Sequence, residues 1–430
     1  MQFGLFYEHQ FPKPWNEGAE LKLFQDALDQ IELADRLNFD ALWVAEHHFL
    51  EEYSHSSAPE VFLGAVSQRT KRIRLGHGIA LMPPKYTHPA RVAERIATLD
   101  LLSKGRVEWG TGESASVIEM EGFGVTPAEK SAMWIEATEQ SANMLAMSPY
   151  PGYQGRYFDM PVRNVVPKPV QRPHPPMWVA CSKRETIHRA ARNGLGALAF
   201  AFVEPEMAAK WVEEYYDIIK SDECVPISHT VNPNVALVGG MMCHSDPDEA
   251  VRRGLDGFKF FGYSLGYVSS FGEMIPGHSD IWSGFEKVKD SLPGNAGSGG
   301  IGSPEQIREY LLRYEKSGVD QVIFVQQAGA NKHEHICESL ELFGKSVMPE
   351  FQAREAERQA KKQKELAPYI EAALARKARM PELTKAEIAP ILAPGKRSAT
   401  LNEERRAKFA DRGIPVPTFD PHAKADQGTK

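Results

Sequence analysis

Cysteine is scarce in this chain of 430 residues. There are four, Cys181, Cys224, Cys243 and Cys337, and no two form a CxxC pair. That spacing argues against a disulfide frame or a cysteine zinc site and for free thiols in a reducing compartment. Long hydrophobic runs are missing too. No stretch approaches the roughly 20 apolar residues of a membrane span. The start, Met1-Gln2-Phe3-Gly4-Leu5-Phe6, enters a strand pattern without the charged and apolar regions of a leader. Positive charge is in deficit as well: the chain carries a net −7 and its first 350 residues −13, with no extended basic run. The expectation is a cytoplasmic protein with no nucleic-acid partner and no membrane partner.

What is present is an ordinary globular composition, 42% hydrophobic and 25% charged, long enough for one large domain with an appendage or for two domains. Strand-like runs are expected at Gln2–Phe6, Ala41–Ala45, Ile73–Leu81, Val107–Gly110, Met177–Cys181, Leu198–Phe202, Val235–Met242 and Val322–Gln326. Helical spacing fills the intervals, for example Ala27, Ile31, Ala34 and Leu37, then Val92, Ile96, Leu99 and Leu102. Eight strands alternating with helices predict an α/β fold, a (β/α)8 TIM-like barrel over residues 1–350. An open doubly wound sheet is the rival, and it needs no eighth strand.

Two segments leave the repeat. Residues 260–302, rich in Gly, Ser and aromatics, read as a loop insertion near the barrel mouth, either a mobile lid or a surface excursion. Residues 351–430 form a basic C-terminal extension, with 17 Lys+Arg against 11 Asp+Glu. Its start, Arg354 to Lys364, is helix-like, and its end, with Pro415, Pro417 and Pro421, reads as extended or disordered. It is expected either to strap across its own barrel or a neighbouring subunit, or to stand as a solvated helix.

The chemistry is expected at strand ends. Ala45-Glu46-His47-His48-Phe49 follows the apolar run Ala41–Val44, and the carboxyl ends of parallel strands are where catalytic groups collect in barrels. A histidine there, His47 or His48, serves as a general base near neutral pH, with Glu46 orienting it. The plain alternative is that one of the two only satisfies a loop. Metal is not expected: the first strand offers His9 alone and no HxH pair.

A second constellation runs from Gly105 to Ser114. Its Gly110-Thr111-Gly112 exposes backbone N–H groups for close approach, without the third glycine of a dinucleotide fingerprint. The third is Cys181-Ser182-Lys183-Arg184-Glu185-Thr186, a strand end running into a helix. It reads as an anion site built from hydroxyls, a cation and the helix dipole, or as an ordinary cap with Ser182 at N-cap and Glu185 closing a capping box.

Taken in order, Phe3–Phe6, Ala45–Phe49, His88–Glu94, Leu99–Arg106, Pro167–Pro176, Gly302–Glu305 and Met348-Pro349 resemble the bacterial luciferase-like flavin-dependent monooxygenases over most of residues 1–350. The resemblance implies a TIM-like barrel binding reduced FMN at its C-terminal face. It also implies a separate NAD(P)H:flavin reductase that supplies the FMNH2, with O2 as co-substrate. The resulting flavin hydroperoxide oxygenates a small organic substrate, largely apolar or carbonyl-bearing, and relatives commonly form dimers.

By position, His47 matches the family's catalytic histidine and Ser182–Thr186, including Lys183, its phosphate-binding turn. Gly78-Ile79 matches the place where members often hold a non-proline cis peptide against the flavin. The cofactor residues implied are therefore Gly78, Ile79, Gly110, Gly112, Ser114, Ser182, Lys183 and Thr186. Glu113 departs from the pattern, since luciferases carry a phosphate-binding arginine there. Either Lys183 or Arg184 supplies the charge instead, or Glu113 stands off the cofactor. An F420-dependent oxidoreductase of the same fold and a non-catalytic flavin-binding partner subunit are the alternatives.

Overall fold

In a computed structural model, eight parallel strands close into a barrel. The structure describes residues 1–200, 202–292 and 298–394, with 396, 397, 403, 407, 408 and 411 beyond them. The strands are β1 Gln2–Tyr7, β2 Ala41–Val44, β3 Arg74–His77, β4 Val107–Gly112, β5 Met177–Cys181, β6 Gly196–Ala199, β7 Val235–Gly240 and β8 Gln321–Gln326. Their order is β3-β2-β1-β8-β7-β6-β5-β4, and β3 pairs back to β4, which closes the ring as the eightfold repeat predicts. Helices α1 (Ala19–Arg36), α2 (Pro59–Arg69) and α3 (Pro89–Leu102) follow the first three strands. After β4 come α4 (Val117–Gly122) and α5 (Lys130–Ala146), after β5 α6 (Arg184–Arg192), and after β6 α7 (Pro205–Ile219). The remainder are α8 (Pro247–Gly266), α9 (Ile281–Glu286), α10 (Pro304–Lys316), α11 (His333–Ser346) and α12 (Met348–Arg376).

Strand alternation sorts the core into two layers. Phe3, Leu5 and Tyr7 of β1 pack outward under the helices, with Val107 and Trp109 of β4 in the same layer. Phe6, Trp43, Trp178, Leu198 and Ile323 belong to the inner cluster. The indoles of Trp43 and Trp178 meet edge to face at 5.3 Å and plug the barrel. Each has its N–H satisfied, Trp43 by Gln321 Oε1 at 3.1 Å and Trp178 by Glu108 Oε2 at 2.6 Å. Gly76 is obligatory for this plug, because a Cβ there would sit 2.3 Å from the Trp43 ring.

Several boundaries differ from expectation. The third strand is broken at Gly78-Ile79 into β3 and the pair Ala80–Leu81. The reason is a change of partner: Gly78 N–H donates to Val44 of β2 at 2.7 Å, whereas Met82 N–H donates to Gly112 of β4 at 3.0 Å. The Gly78–Ile79 bond is not cis; the cis bonds among the described residues all precede prolines. Neighbours on both sides satisfy this backbone as it stands. Ala201, within the strand expected over Leu198–Phe202, lies outside the described residues.

The segment 260–302 is not a single loop. It begins inside α8, which Asp246 caps by accepting from the N–H groups of Asp248 and Glu249. Phe258, Phe260 and Phe261 are core residues of that helix, not parts of a lid. Gly257 of the same helix permits close packing, since a Cβ there would lie 2.4 Å from the Ala328 carbonyl. A π turn, Tyr267–Phe271, and α9 follow, while residues 293–297 lie outside the described set.

One compact unit spans Met1–Pro381. Residues 351–376, set apart in sequence by their charge, continue α12, whose Phe351, Leu366 and Ala373 are buried. This helix crosses the N-terminal end of the barrel. Its Lys362 and Arg358 lie 2.7 and 3.4 Å from Asp320, which precedes β8. The second unit, Glu382–Lys430, carries a short turn, Lys385–Glu387, with Thr384 and Glu387 capping each other. Pro415, Pro417 and Pro421 lie outside the described residues.

Candidate active site

The C-terminal ends of β1 to β6 surround one cavity. Glu8 (after β1), Glu46 and His47 (after β2), Gly78 and Ile79 (after β3), Gly112 to Ser114 (after β4) and Ser182 (after β5) line it, with Phe200 after β6. Thr186 and Arg189 of α6, Lys130 of α5, Tyr53 and Leu265 complete the wall.

The inner end is built around His47. Its Nδ1 lies 2.9 Å from Glu119 Oε1, and its Nε2 lies 3.5 Å from Glu8 Oε2. Burial by itself disfavours the imidazolium, but the carboxylates of Glu8 and Glu119 outweigh that and raise its pKa well above the usual 6.5. Burial likewise pushes Glu119 up, and the His47 charge and the hydrogen bonds it accepts overcome this, so its pKa falls below the ordinary value. His47 is therefore a proton holder and donor at neutral pH, not the neutral base expected from its residue type. Glu119 also accepts from Ser114 Oγ at 2.5 Å and from His48 N–H at 2.8 Å, locking two loops to the same carboxylate. Glu8 Oε1 accepts from Tyr53 O–H at 3.0 Å.

The outer end is cationic. Arg189 Nη1 donates to Ser131 Oγ at 2.8 Å and to Glu113 at 3.3 Å, and its guanidinium lies over the Trp134 ring at 4.8 Å. Its Nε is buried without a hydrogen-bond partner among the described residues. Lys130 Nζ donates to Ser114 O at 2.6 Å. The N-terminus of α6 points here with Ser182 and Thr186, and its dipole favours an anion.

Of the residues singled out in sequence, the fold gathers Glu46, His47, Gly78, Ile79, Gly112, Ser114, Ser182 and Thr186 at this cavity. Three stand elsewhere. His48 turns away, its Nε2 3.3 Å from Glu46 and its ring 4.9 Å from Phe123. Gly110 is buried in the barrel wall, where a Cβ would meet the His77 carbonyl at 2.0 Å. Lys183 is exposed and caps α6 with Thr186, so the cap falls one residue later than Ser182–Glu185. Glu46 ties the strand end to its neighbour, accepting from Leu81 N–H at 2.8 Å. Arg184 is engaged by Glu214 at the surface, and Cys181 is buried with its thiol pushed up to about 12 by burial.

Glu8, Tyr53, Glu119, Lys130 and Arg189 escaped the sequence reading. Two carried a trace. Glu8 lies two residues past the expected strand Gln2–Phe6 and directly after the observed one, and Arg189 lies one helical turn beyond Thr186. Glu119 and Lys130 arrive from inserted helices and leave no local pattern. His9, weighed in sequence as a metal ligand, packs against Phe24 and Phe62. Burial lowers its pKa to about 4.

The family model for luciferase-like monooxygenases matches residues 1–321. The chain is 27% identical to limonene 1,2-monooxygenase of Rhodococcus erythropolis over 79% of this chain and 85% of that one. It is 23% identical to the oxygenase component of flavin-dependent trigonelline monooxygenase of Acinetobacter baylyi, over 83% and 98%. In three dimensions it is similar to the oxygenating constituent of 3,6-diketocamphane monooxygenase of Pseudomonas putida, solved with FMN. That match has a TM-score of 0.62 and 20% identity, covering 81% of this chain and 98% of that one.

Proposed function

The chain belongs to the luciferase-like monooxygenase family of flavin-dependent enzymes, and on that premise we propose that it is the oxygenase of a two-component system. It takes reduced FMN from a separate NAD(P)H:flavin reductase and uses O2 to oxygenate a small organic substrate, largely apolar or carbonyl-bearing. The observation that carries this reading is one cavity with two unlike ends: an anion end with an unsatisfied buried donor, Arg189 Nε, and a proton-holding end at His47.

Those residues fit a phosphorylated flavin. Arg189, Lys130, Ser182, Thr186 and the α6 N-terminus are the groups that would hold its phosphate. Glu113 stays beside Arg189 and fixes it, so the cation stands on α6 instead of at the strand end. Gly78, Ile79 and Gly112 line the same cavity and would face the flavin ring. Bound reduced FMN supplies the electrons that activate oxygen. His47 is positioned through Nδ1 by Glu119 and presents its Nε2 proton beside Glu8. Glu46 holds the strand end, with His48 behind it. Phe200, Leu265, Ile79 and Tyr53 keep water from the inner end.

The test is an anaerobic titration with reduced FMN, followed by mixing with air-saturated buffer. The expected result is a saturable complex whose flavin reoxidises far more slowly than free flavin. Absence of binding by reduced FMN, with binding of reduced F420, overturns the proposal in favour of hydride transfer.

A further inference from the structure

Glu8 is 2% exposed, yet its two carboxylate oxygens fare differently. Oε1 accepts from Tyr53, while Oε2 is buried and has no hydrogen-bond partner among the described residues. The nearest cation, His47 Nε2, stands off at 3.5 Å, and its other nitrogen is committed to Glu119. A carboxylate oxygen held dry without a donor is costly and calls for a donor to complete it. The charges point the same way. With His47 protonated, Glu8 and Glu119 leave one negative charge uncompensated at this end. Phe200, Leu265 and Ile79, which line the same cavity, bring no side-chain donor.

We propose that Glu8 is the specificity-determining residue of the site and selects substrates that present a hydrogen-bond donor, an alcohol O–H or an amine N–H, on an otherwise apolar frame. The inference rests on the oxygenase reading above and narrows its substrate class. A bare ketone offers Glu8 only a second acceptor and, by accepting from His47 Nε2–H, would draw that proton away from Glu8, so it is disfavoured, as are carboxylates and sulfonates, which add like charge. A carbonyl compound is admitted when it also carries a donor. The anion end does not relieve this selection, since Arg189 and Lys130 are taken up by the cofactor phosphate. Glu8 thus acts on substrate choice, while His47 acts on proton supply.

The experiment uses two neutral probes of one shape, cyclohexanol and cyclohexanone, titrated anaerobically into the protein saturated with reduced FMN, with tryptophan fluorescence as readout. Cyclohexanol is expected to bind about tenfold more tightly than cyclohexanone, the low end of the scale of an unsatisfied buried polar group. In Glu8→Gln, whose amide keeps the shape, the gap should close to within about threefold with the Kd for reduced FMN unchanged. Equal or tighter binding of cyclohexanone to the unmodified protein overturns the proposal, as does no measurable binding of cyclohexanol. A gap that survives Glu8→Gln, or a loss of flavin affinity in that variant, also overturns it. The ranking on the unmodified protein stands even if the variant fails to fold. Failure of the cofactor reading is seen separately, as no binding of reduced FMN before any probe is added, and the ranking is then measured on the protein alone.

Discussion

Each end of the barrel buries a carboxylate that answers to cations, and the two are treated in opposite ways. At the N-terminal end, Asp320 is 1% exposed and fully engaged. Tyr216 O–H and Val235 N–H donate to Oδ2 at 2.6 and 2.8 Å, and Lys362 of α12 meets Oδ1 at 2.7 Å with Arg358 behind it. At the C-terminal end, Glu8 has one oxygen served and one left dry beside a histidine that two carboxylates hold protonated. The contrast shows a division of labour within one fold. Saturated polar groups fasten α12 to the barrel floor, and unsaturated ones are kept where a ligand completes them.

The comparison is broken most severely at His47. His47→Ala is expected to lower oxygenation by about 10²–10⁴-fold, the usual worth of a positioned proton-transfer group, with reduced-FMN affinity close to the parent and a lower melting temperature, because Glu8 and Glu119 lose the group they share. Single-turnover kinetics beside a flavin titration checks both. Turnover equal to the parent removes His47 from the mechanism.

Asp320→Ala acts at the other end and should do the reverse. It strands Lys362 and Arg358 against a buried surface and costs about 3–5 kcal/mol of stability. Chemical denaturation measures this. Flavin affinity of the folded fraction should not change.

Arg189→Ala tests the anion end. A lost charge-assisted hydrogen bond is worth about 1.5–3 kcal/mol, so reduced FMN should bind roughly 10–150-fold more weakly. Reduced riboflavin, which lacks the phosphate, should bind both proteins equally. An equal loss for both flavins would mean that Arg189 shapes the pocket without holding phosphate.

The His47 proton sharpens the contrast by pH. Its folded-state value is raised, so the stabilisation it contributes is fully present below the ordinary 6.5 and is lost as pH rises through the raised value. Glu8→Gln removes one of the two carboxylates and should move that loss to lower pH, read by NMR titration of the imidazole. The smallest effect is expected for Lys183→Ala, which changes an exposed side chain away from the cavity. Its flavin affinity should stay within about threefold of the parent, the scale of a surface charge.

Much of this architecture was legible in the chain itself. Apolar runs such as Ala41–Val44 and Met177–Cys181 announce buried parallel strands because both faces of such strands are covered, and the helical spacing between them leaves few folds besides a closed barrel. The strand-end rule then reached Glu46, His47, Gly112 and Ser182, since position along a strand decides which end of the barrel a residue occupies. It placed residues at an end without saying which way they face. His48 follows His47 by one residue and turns to Phe123, and Gly110 lies two residues before Gly112 in the wall.

Local pattern also misjudged residues 260–302 and Lys183. Glycine reads alike whether it loosens a loop or lets two elements touch, as Gly300 does against the Gly240 carbonyl. A lysine beside a helix start reads alike whether it faces the cavity or solvent. The sequence by itself determined the barrel, its polarity and the strand ends at which chemistry gathers, because those follow from periodicity and chain order. Only the tertiary structure decided that His47 is held charged by Glu8 and Glu119 and that Arg189 is the cation of the anion end. Protonation state and unpaired donors depend on distances between groups 39, 72 and 76 residues apart, and no local pattern encodes such distances.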